Sequence, residues 1–272
     1  MVRYGEKKVR SIMSKSGIYG IEYAINPYIG CEHGCVYCYA RFVYIKMGKD
    51  PLEWGEEVIA KTNAVELLKR EVVANRRGRV LISSVTDPYQ PIERTKLLTR
   101  RILETLQRYK YPVVILTKSP LILRDLDIIK KFNHEEVEAG ITITMLNDDD
   151  RKVFEPRAPS VDARIKALRI LAGNIANTFA FLGPIIPLFT TKDLSALLEL
   201  IADAGVKRVV IDKLNLKARN WESINRALKE NYDKAKIREF WRILRDPYYY
   251  KKLKKKIINE AGELGLQVDF CY

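Results

Sequence analysis

The sequence predicts an α/β fold, a partial (β/α)6, TIM-like barrel with a mostly helical C-terminal elaboration. Three observations carry this reading. Compact, β-branched apolar runs alternate with longer segments of helical spacing, the pattern of right-handed strand–helix–strand crossovers. The alternation occurs six times, short of the eight repeats a closed barrel needs. After Asp212 it stops and helical segments take over.

The predicted strands are 20–26, 79–84, 112–117, 139–145, 178–183 and 208–212. Each is short and apolar, as strands buried on both faces of a parallel sheet are. Helical spacing over 56–75 puts Val58, Val65, Leu68 and Val72 on one stripe, and over 95–109 it aligns Leu98, Ile102, Leu106 and Tyr109. Ser160 reads as the N-cap of a helix over 161–172. Thr191 reads the same way for 192–204, with Asp193 in the first turn. Beyond Asp212, segments 221–230 and 235–262 read as helices and 265–270 as a last strand. No repeat, low-complexity tract or Ser/Gly linker interrupts the chain. The expected organisation is a basic N-terminal extension (1–19), the barrel (20–212) and a basic helical extension (213–272) within the same globular unit.

At 272 residues, 47% hydrophobic and 30% charged, the chain has the composition of a globular protein with a sizeable core. No apolar stretch approaches the eighteen residues of a membrane span, and the N-terminus lacks the apolar core of a signal peptide. A cytoplasmic protein with reduced thiols and no membrane partner is expected. The net charge of +14 is uneven: residues 1–19 carry +4, residues 213–272 carry +7, and the long middle only +3. Basic ends on a nearly balanced body fit a nucleic-acid partner. The competing reading is the lysine-rich surface of a thermophilic protein.

Cys31, Cys35 and Cys38 form a CxxxCxxC run directly after the first predicted strand. Iron–sulfur clusters and structural zinc ordinarily take four protein ligands. A loop that offers three thiolates leaves one metal position open, which points to chemistry. Zinc held by the three cysteines with His33 or a distant residue is the alternative. Active sites of parallel α/β folds gather at the carboxyl ends of the strands. There the sequence also places Ser83, Ser84, Thr86 and Asp87, then Thr117, Lys118 and Ser119, then Thr142, Thr144 and Asn147, and the bend Gly183 to Pro187.

These residues resemble the radical S-adenosylmethionine (SAM) superfamily, and within it the spore photoproduct lyase-like, DNA-repair-photolyase-related branch. The likeness covers roughly 18–212 and rests on NPYIGCEHGCVYCYAR (26–41), SSVTDPYQPIE (83–93), ILTKSPLILRD (115–125), ITITMLNDDDRKVFEPRAPS (141–160) and FLGPIIP (181–187). The resemblance implies a [4Fe–4S] cluster on Cys31, Cys35 and Cys38, with SAM chelating the open iron. It also implies reductive cleavage to a 5′-deoxyadenosyl radical and an external ferredoxin- or flavodoxin-like electron donor. By it Tyr37 packs on the adenine, Ser84, Lys118, Thr142 and Thr144 contact the methionine carboxylate and ribose, and Ile185 lines the adenine pocket. Tyr39 matches a tyrosine implicated in radical transfer back to product. One departure matters. The lyase carries a cysteine hydrogen donor where this chain has Ser84, and a hydroxyl does not replace a thiol in that step. Thymine-dimer repair is therefore not expected.

Arg157, held between Pro156 and Pro159, is a candidate carboxylate or phosphate clamp, with a purely structural ion pair as the alternative. Asp148, Asp149 and Asp150 read as a solvated loop, His134 as solvated, and Cys271 as a bystander near the end of the last strand. Tyr248, Tyr249 and Tyr250, followed by Lys251, Lys252, Lys254, Lys255 and Lys256, either stack on bases or pack inward. The functional expectation is a radical SAM enzyme acting on a nucleic acid. The alternatives are the same chemistry on a protein or small molecule, and a non-enzymatic, metal-stabilised nucleic-acid-binding protein.

Overall fold

A computed structural model describes residues 1–272. The strands are β1 (Arg3–Lys7), β2 (Met13–Lys15), β3 (Tyr23–Ile25), β4 (Tyr28–Ile29), β5 (Glu57–Lys61), β6 (Val80–Ile82), β7 (Val113–Thr117), β8 (Val137–Thr142), β9 (Thr178–Ile185), β10 (Arg208–Lys213) and β11 (Gln267–Phe270). Eight of them form one sheet in the order β11-β10-β9-β8-β7-β6-β3-β2. All neighbours pair in parallel except β2, which runs antiparallel to β3. The sheet is a partial barrel, as expected. β11 adds a seventh parallel strand to the six, and the two margins, β2 and β11, are not paired to each other.

Register aligns the strand ends. Ile25 pairs with Ile82 and Ile82 with Ile115, while Thr117 faces Ile141 and Thr142 faces Phe181. The residues following each strand therefore emerge on one face. Beneath them a core of 45 buried residues runs along the sheet and the helices that cover it. Gly140 leaves room in this layer for the Phe179 ring, which would have to shift for a Cβ that falls 2.5 Å from it.

Several local readings are corrected. Val58 does not belong to a helical stripe. Residues 57–61 are β5, where Val58 and Ala60 are fully buried and alternate with half-buried neighbours, a period of two. The helix begins only at Ala64. β5 joins β1 and β4 in a second, three-stranded sheet, and β2 joins the main sheet, so residues 1–19 contribute two strands. Thr191 is not a cap. The helix starts at Leu194, preceded by Asp193, and Thr191 instead meets the Tyr249 hydroxyl. The expected helix 235–262 divides at Asp246-Pro247 into Lys234–Arg245 and Tyr249–Glu263, since proline cannot donate to a helix interior. Asp148, Asp149 and Asp150 form the first turn of a helix (Asp148–Phe154), where acidic side chains suit the positive end of the helix dipole. The Asn147 side chain caps that turn by accepting from the amides of Asp149 and Asp150. The helix Val161–Ala172, capped by Ser160, agrees with its expected bounds. No helix is long and apolar enough to cross a membrane.

Beside the barrel, Glu93 is fully buried and joins several segments. It accepts the Tyr28 hydroxyl, the amide of Thr99 and the guanidinium of Arg124, which also pairs with buried Asp125. Removing one member of such a buried charged set strands the others. Glu93→Ala is expected to destabilise the fold by about 3–5 kcal/mol, measured as a loss of denaturation free energy. A change within about 1 kcal/mol would show that Asp125 alone suffices for Arg124.

Candidate metal and cofactor site

The cysteine loop begins where β4 ends and is fixed by contacts from distant elements. Gly30 has φ +82°, and a Cβ there would lie 2.2 Å from the Glu57 carbonyl oxygen. The loop amides and carbonyls are taken up by side chains. Buried Gln90 accepts from the Glu32 amide at 2.8 Å and donates to the Gly30 carbonyl at 3.2 Å. Arg157 donates through Nε to the Glu32 carbonyl at 2.7 Å and through Nη2 to that of Gly55 at 2.6 Å. Arg41 donates to the carbonyls of Cys35 and Pro51, and Asn220 donates to that of Tyr37 at 2.8 Å.

Cys31 and Cys35 are buried, Cys38 is half-buried, and all three are free thiols. Burial pushes each thiol up, Cys35 to about 12. A metal would displace protons to bind them. No three His, Cys, Asp or Glu side chains are gathered as a single metal ion would require.

Behind the loop lies a polar network built on Glu155, which is fully buried. It accepts from the Tyr37 hydroxyl, from Thr144 Oγ1 at 2.6 Å and from Arg164, and Lys118 Nζ stands 3.9 Å away. Burial alone would raise the Glu155 pKa. Arg164 and Lys118 overcome it and hold the carboxylate down at about 2. Burial likewise opposes the Lys118 charge, but Glu155 and Cys35 keep its pKa above the ordinary value. Lys118 Nζ also sits 5.8 Å from the centre of the Tyr37 ring. His33 is 2% exposed, with Nδ1 3.5 Å from Asp87 and without a hydrogen-bond acceptor or donor in the protein. Burial lowers its pKa to about 4, so it is neutral at pH 7. Asp87 in turn accepts from Thr117 Oγ1 at 2.6 Å and from the amides of Lys118 and Tyr89.

The residues singled out from sequence are brought to this face, with different occupations. Tyr37, Lys118 and Thr144 share the Glu155 network, and the Thr142 carbonyl accepts from Arg164. Tyr39, 45% exposed, donates its hydroxyl to the Ser84 carbonyl at 2.5 Å, so the two candidate catalytic residues are neighbours. Asn26 reaches from the end of β3 to bond Ser84 Oγ and the Val85 amide. Ile185 is fully buried at the end of β9, and its carbonyl accepts from Tyr250. Arg157 spends its donors on the carbonyls of Glu32 in the loop and Gly55 before β5, with Glu56 as an ion-pair partner at 3.5 Å. Tyr249 and Tyr250 pack inward, whereas Tyr248 is 61% exposed. Cys271 is exposed at the end of β11. Sequence reasoning missed Glu155, Arg164, Gln90, Asn220 and Arg41. All but Arg164 and Asn220 lie inside the segments that carry the family likeness, and no spacing rule marked them.

The Radical SAM superfamily model matches residues 25–201, from β3 into the helix Leu194–Asp203. The chain belongs to the radical SAM superfamily and is an enzyme of that family. Among its relatives, an uncharacterized protein of Methanocaldococcus jannaschii is 35% identical over 96% of this chain and 94% of its own. An uncharacterized protein of Acidianus two-tailed virus is 29% identical over 79% of this chain and 73% of its own. Among solved structures, spore photoproduct lyase complexed with dinucleoside spore photoproduct superposes with a TM-score of 0.73 over 99% of this chain and 82% of the lyase, at 14% identity. Streptococcus suis SuiB bound to precursor peptide SuiA gives a TM-score of 0.58 over 91% of this chain and 48% of SuiB, at 15% identity. These two are likenesses of fold.

The Glu155 network has a testable pH signature. The carboxylate is depressed from 4.5 to about 2 in the folded chain. It therefore contributes stability that is full above pH 4.5 and is lost as pH falls toward 2. Glu155→Gln is expected to cost about 3–5 kcal/mol at pH 7, and to flatten the loss of stability over that acid window. Denaturation midpoints measured across pH check both, and an unchanged acid limb would exclude Glu155 as its source.

Proposed function

We propose that this protein is a radical SAM enzyme that binds a [4Fe–4S] cluster through Cys31, Cys35 and Cys38 and acts on a nucleic acid. One observation carries the first half: three free thiols in a single clamped loop, at the carboxyl ends of a parallel sheet, with no fourth cysteine in the loop. The donor set suits a cluster better than one ion, because in a cluster each thiolate meets a different iron. The loaded cluster supplies the electron for reductive cleavage of SAM.

The chain's own residues do the holding. Lys118, 16% exposed beside Cys35, offers a cation to the SAM carboxylate. Tyr37, its hydroxyl engaged by Glu155, leaves its ring to pack against the adenine. Thr142 and Thr144 bring polar groups from the end of β8 and Ser84 from the end of β6, and Ile185 forms the apolar wall. Arg157 positions the loop. Tyr39 and Ser84 stand together on the substrate side, and without a cysteine at 84 the return of hydrogen differs from that of the lyase.

The substrate reading rests on surface charge. The helix Tyr249–Glu263 starts at the site face, because Tyr250 is hydrogen-bonded to Ile185 and Leu214 there. From that end Lys251, Lys252, Lys255 and Lys256 project into solvent, behind exposed Tyr248. Lysines can meet phosphates while the tyrosine stacks a base. A base buried in a duplex would have to be turned out to reach the site. A ferredoxin- or flavodoxin-like protein serves as the electron donor.

Anaerobically reconstituted protein with dithionite and SAM is expected to yield 5′-deoxyadenosine, and Cys31→Ala, Cys35→Ala or Cys38→Ala to abolish it. No 5′-deoxyadenosine from the iron-loaded wild type would refute the chemistry. Binding to duplex DNA and tRNA should weaken steeply with salt, by roughly 0.9 in the log–log slope for each duplex phosphate contact. Replacing the four exposed lysines by Gln should make that slope shallower. Salt-insensitive, negligible binding would instead favour a protein or small-molecule substrate.

A further inference from the structure

Three arginines are buried: Arg41 at 2% exposure, Arg151 at 6% and Arg164 at 1%. Two have carboxylate partners, Arg151 with Asp148 at 2.9 Å and Arg164 with Glu155. Arg41 has none. Its Nη1 donates to the Pro51 carbonyl at 2.6 Å and its Nη2 to that of Cys35 at 3.2 Å, while Nε finds no acceptor in the protein. Burial lowers its pKa, and the titratable groups nearest in influence are Cys38 and Cys35, which would support its charge only if ionised, followed by Arg226 and Asp50. Asp50 is engaged elsewhere, capping the Leu52 amide at 2.9 Å and facing Arg219 at 3.7 Å.

A guanidinium out of water without a counter-ion is costly, and such a charge is kept only where something compensates it. The neutral thiols do not. Ionised thiolates of a bound cluster would: Cys38 and Cys35 are the groups whose negative charge supports the Arg41 charge most strongly, and Arg41 already donates to the Cys35 carbonyl. We propose that Arg41 is the built-in counter-charge of the cluster, favouring its reduced, more negative state. The inference rests on the cluster reading of the cysteine loop. Reduction adds one electron from a one-electron donor, with no bond or proton changed at Arg41, so the fixed charge acts on the potential alone. Net charge and hydrogen bonding around a cluster set that potential.

The test compares wild type, Arg41→Lys and Arg41→Gln after anaerobic reconstitution. Iron and sulfide are quantified, then dithionite titrations are followed by electron paramagnetic resonance. Arg41→Gln, which keeps donors but loses charge, is expected to shift the midpoint to more negative potential. Arg41→Lys should stay near wild type. Assembly of the cluster in the Lys variant but not in the Gln variant would also support the proposal. Equal shifts in both variants, no shift in either, or failure of both to assemble would overturn it in favour of a purely structural bond to Pro51 and Cys35. Wild type that takes up no iron and sulfide would overturn the cluster reading itself, a result distinguishable from all of these.

Discussion

The arrangement depends on one buried anion. Glu155 takes hydrogen bonds or charge from Tyr37 in the cysteine loop, Lys118 after β7, Thr144 after β8 and Arg164 in the helix Val161–Ala172. Four segments far apart in sequence are thereby brought to a common point. In a low-dielectric interior each of these groups would be costly alone, and together they satisfy one another. The cysteine loop and the strand ends can hold a common geometry because this carboxylate is ionised and fully used.

The same loop is supported from the other side by the C-terminal helices. Cys35 and Tyr37 pack with Phe154, Phe189, Leu228 and Phe240 in a second apolar cluster. Phe154 and Phe189 meet edge-on at 4.6 Å. Asn220, at the start of the helix Asn220–Asn231, bonds the Tyr37 carbonyl. The segment after β10 is therefore part of the wall of the site. Its buried aromatic Phe240 lies on the helix Lys234–Arg245, and its exposed lysines Lys251, Lys252, Lys255 and Lys256 lie on the next helix, whose buried side packs on the main core.

Much of this was legible in the sequence where one signal dominated. The parallel strands stood out because both faces are buried, which leaves continuous apolar runs such as Val113 to Thr117. The cysteine loop was legible because its chemistry fixes its spacing. β5 was hidden because Val58 and Ala60 alternate over only five residues, directly ahead of a true helix. β1 was hidden because its side chains are mostly exposed and polar, so only the backbone pairing to β5 defines it. The Glu155–Arg164 pair was unreadable for a different reason. Nothing in a sequence distinguishes an acid and a base that will be buried together from the many that stay in water. Tyr39 and Ser84 emerged separately, and only the fold shows that they touch.

The crowding around Gly34 has a further consequence. A side chain there would strike Arg157 at 2.7 Å, and one at Gly55 would come within 2.7 Å of the Gly34 Cα. Two backbones and a guanidinium are packed with no slack, so the thiol-bearing segment is pinned at Gly34 against Gly55 and Arg157. Alanine at either glycine would therefore push the thiol-bearing segment away from the chain that braces it.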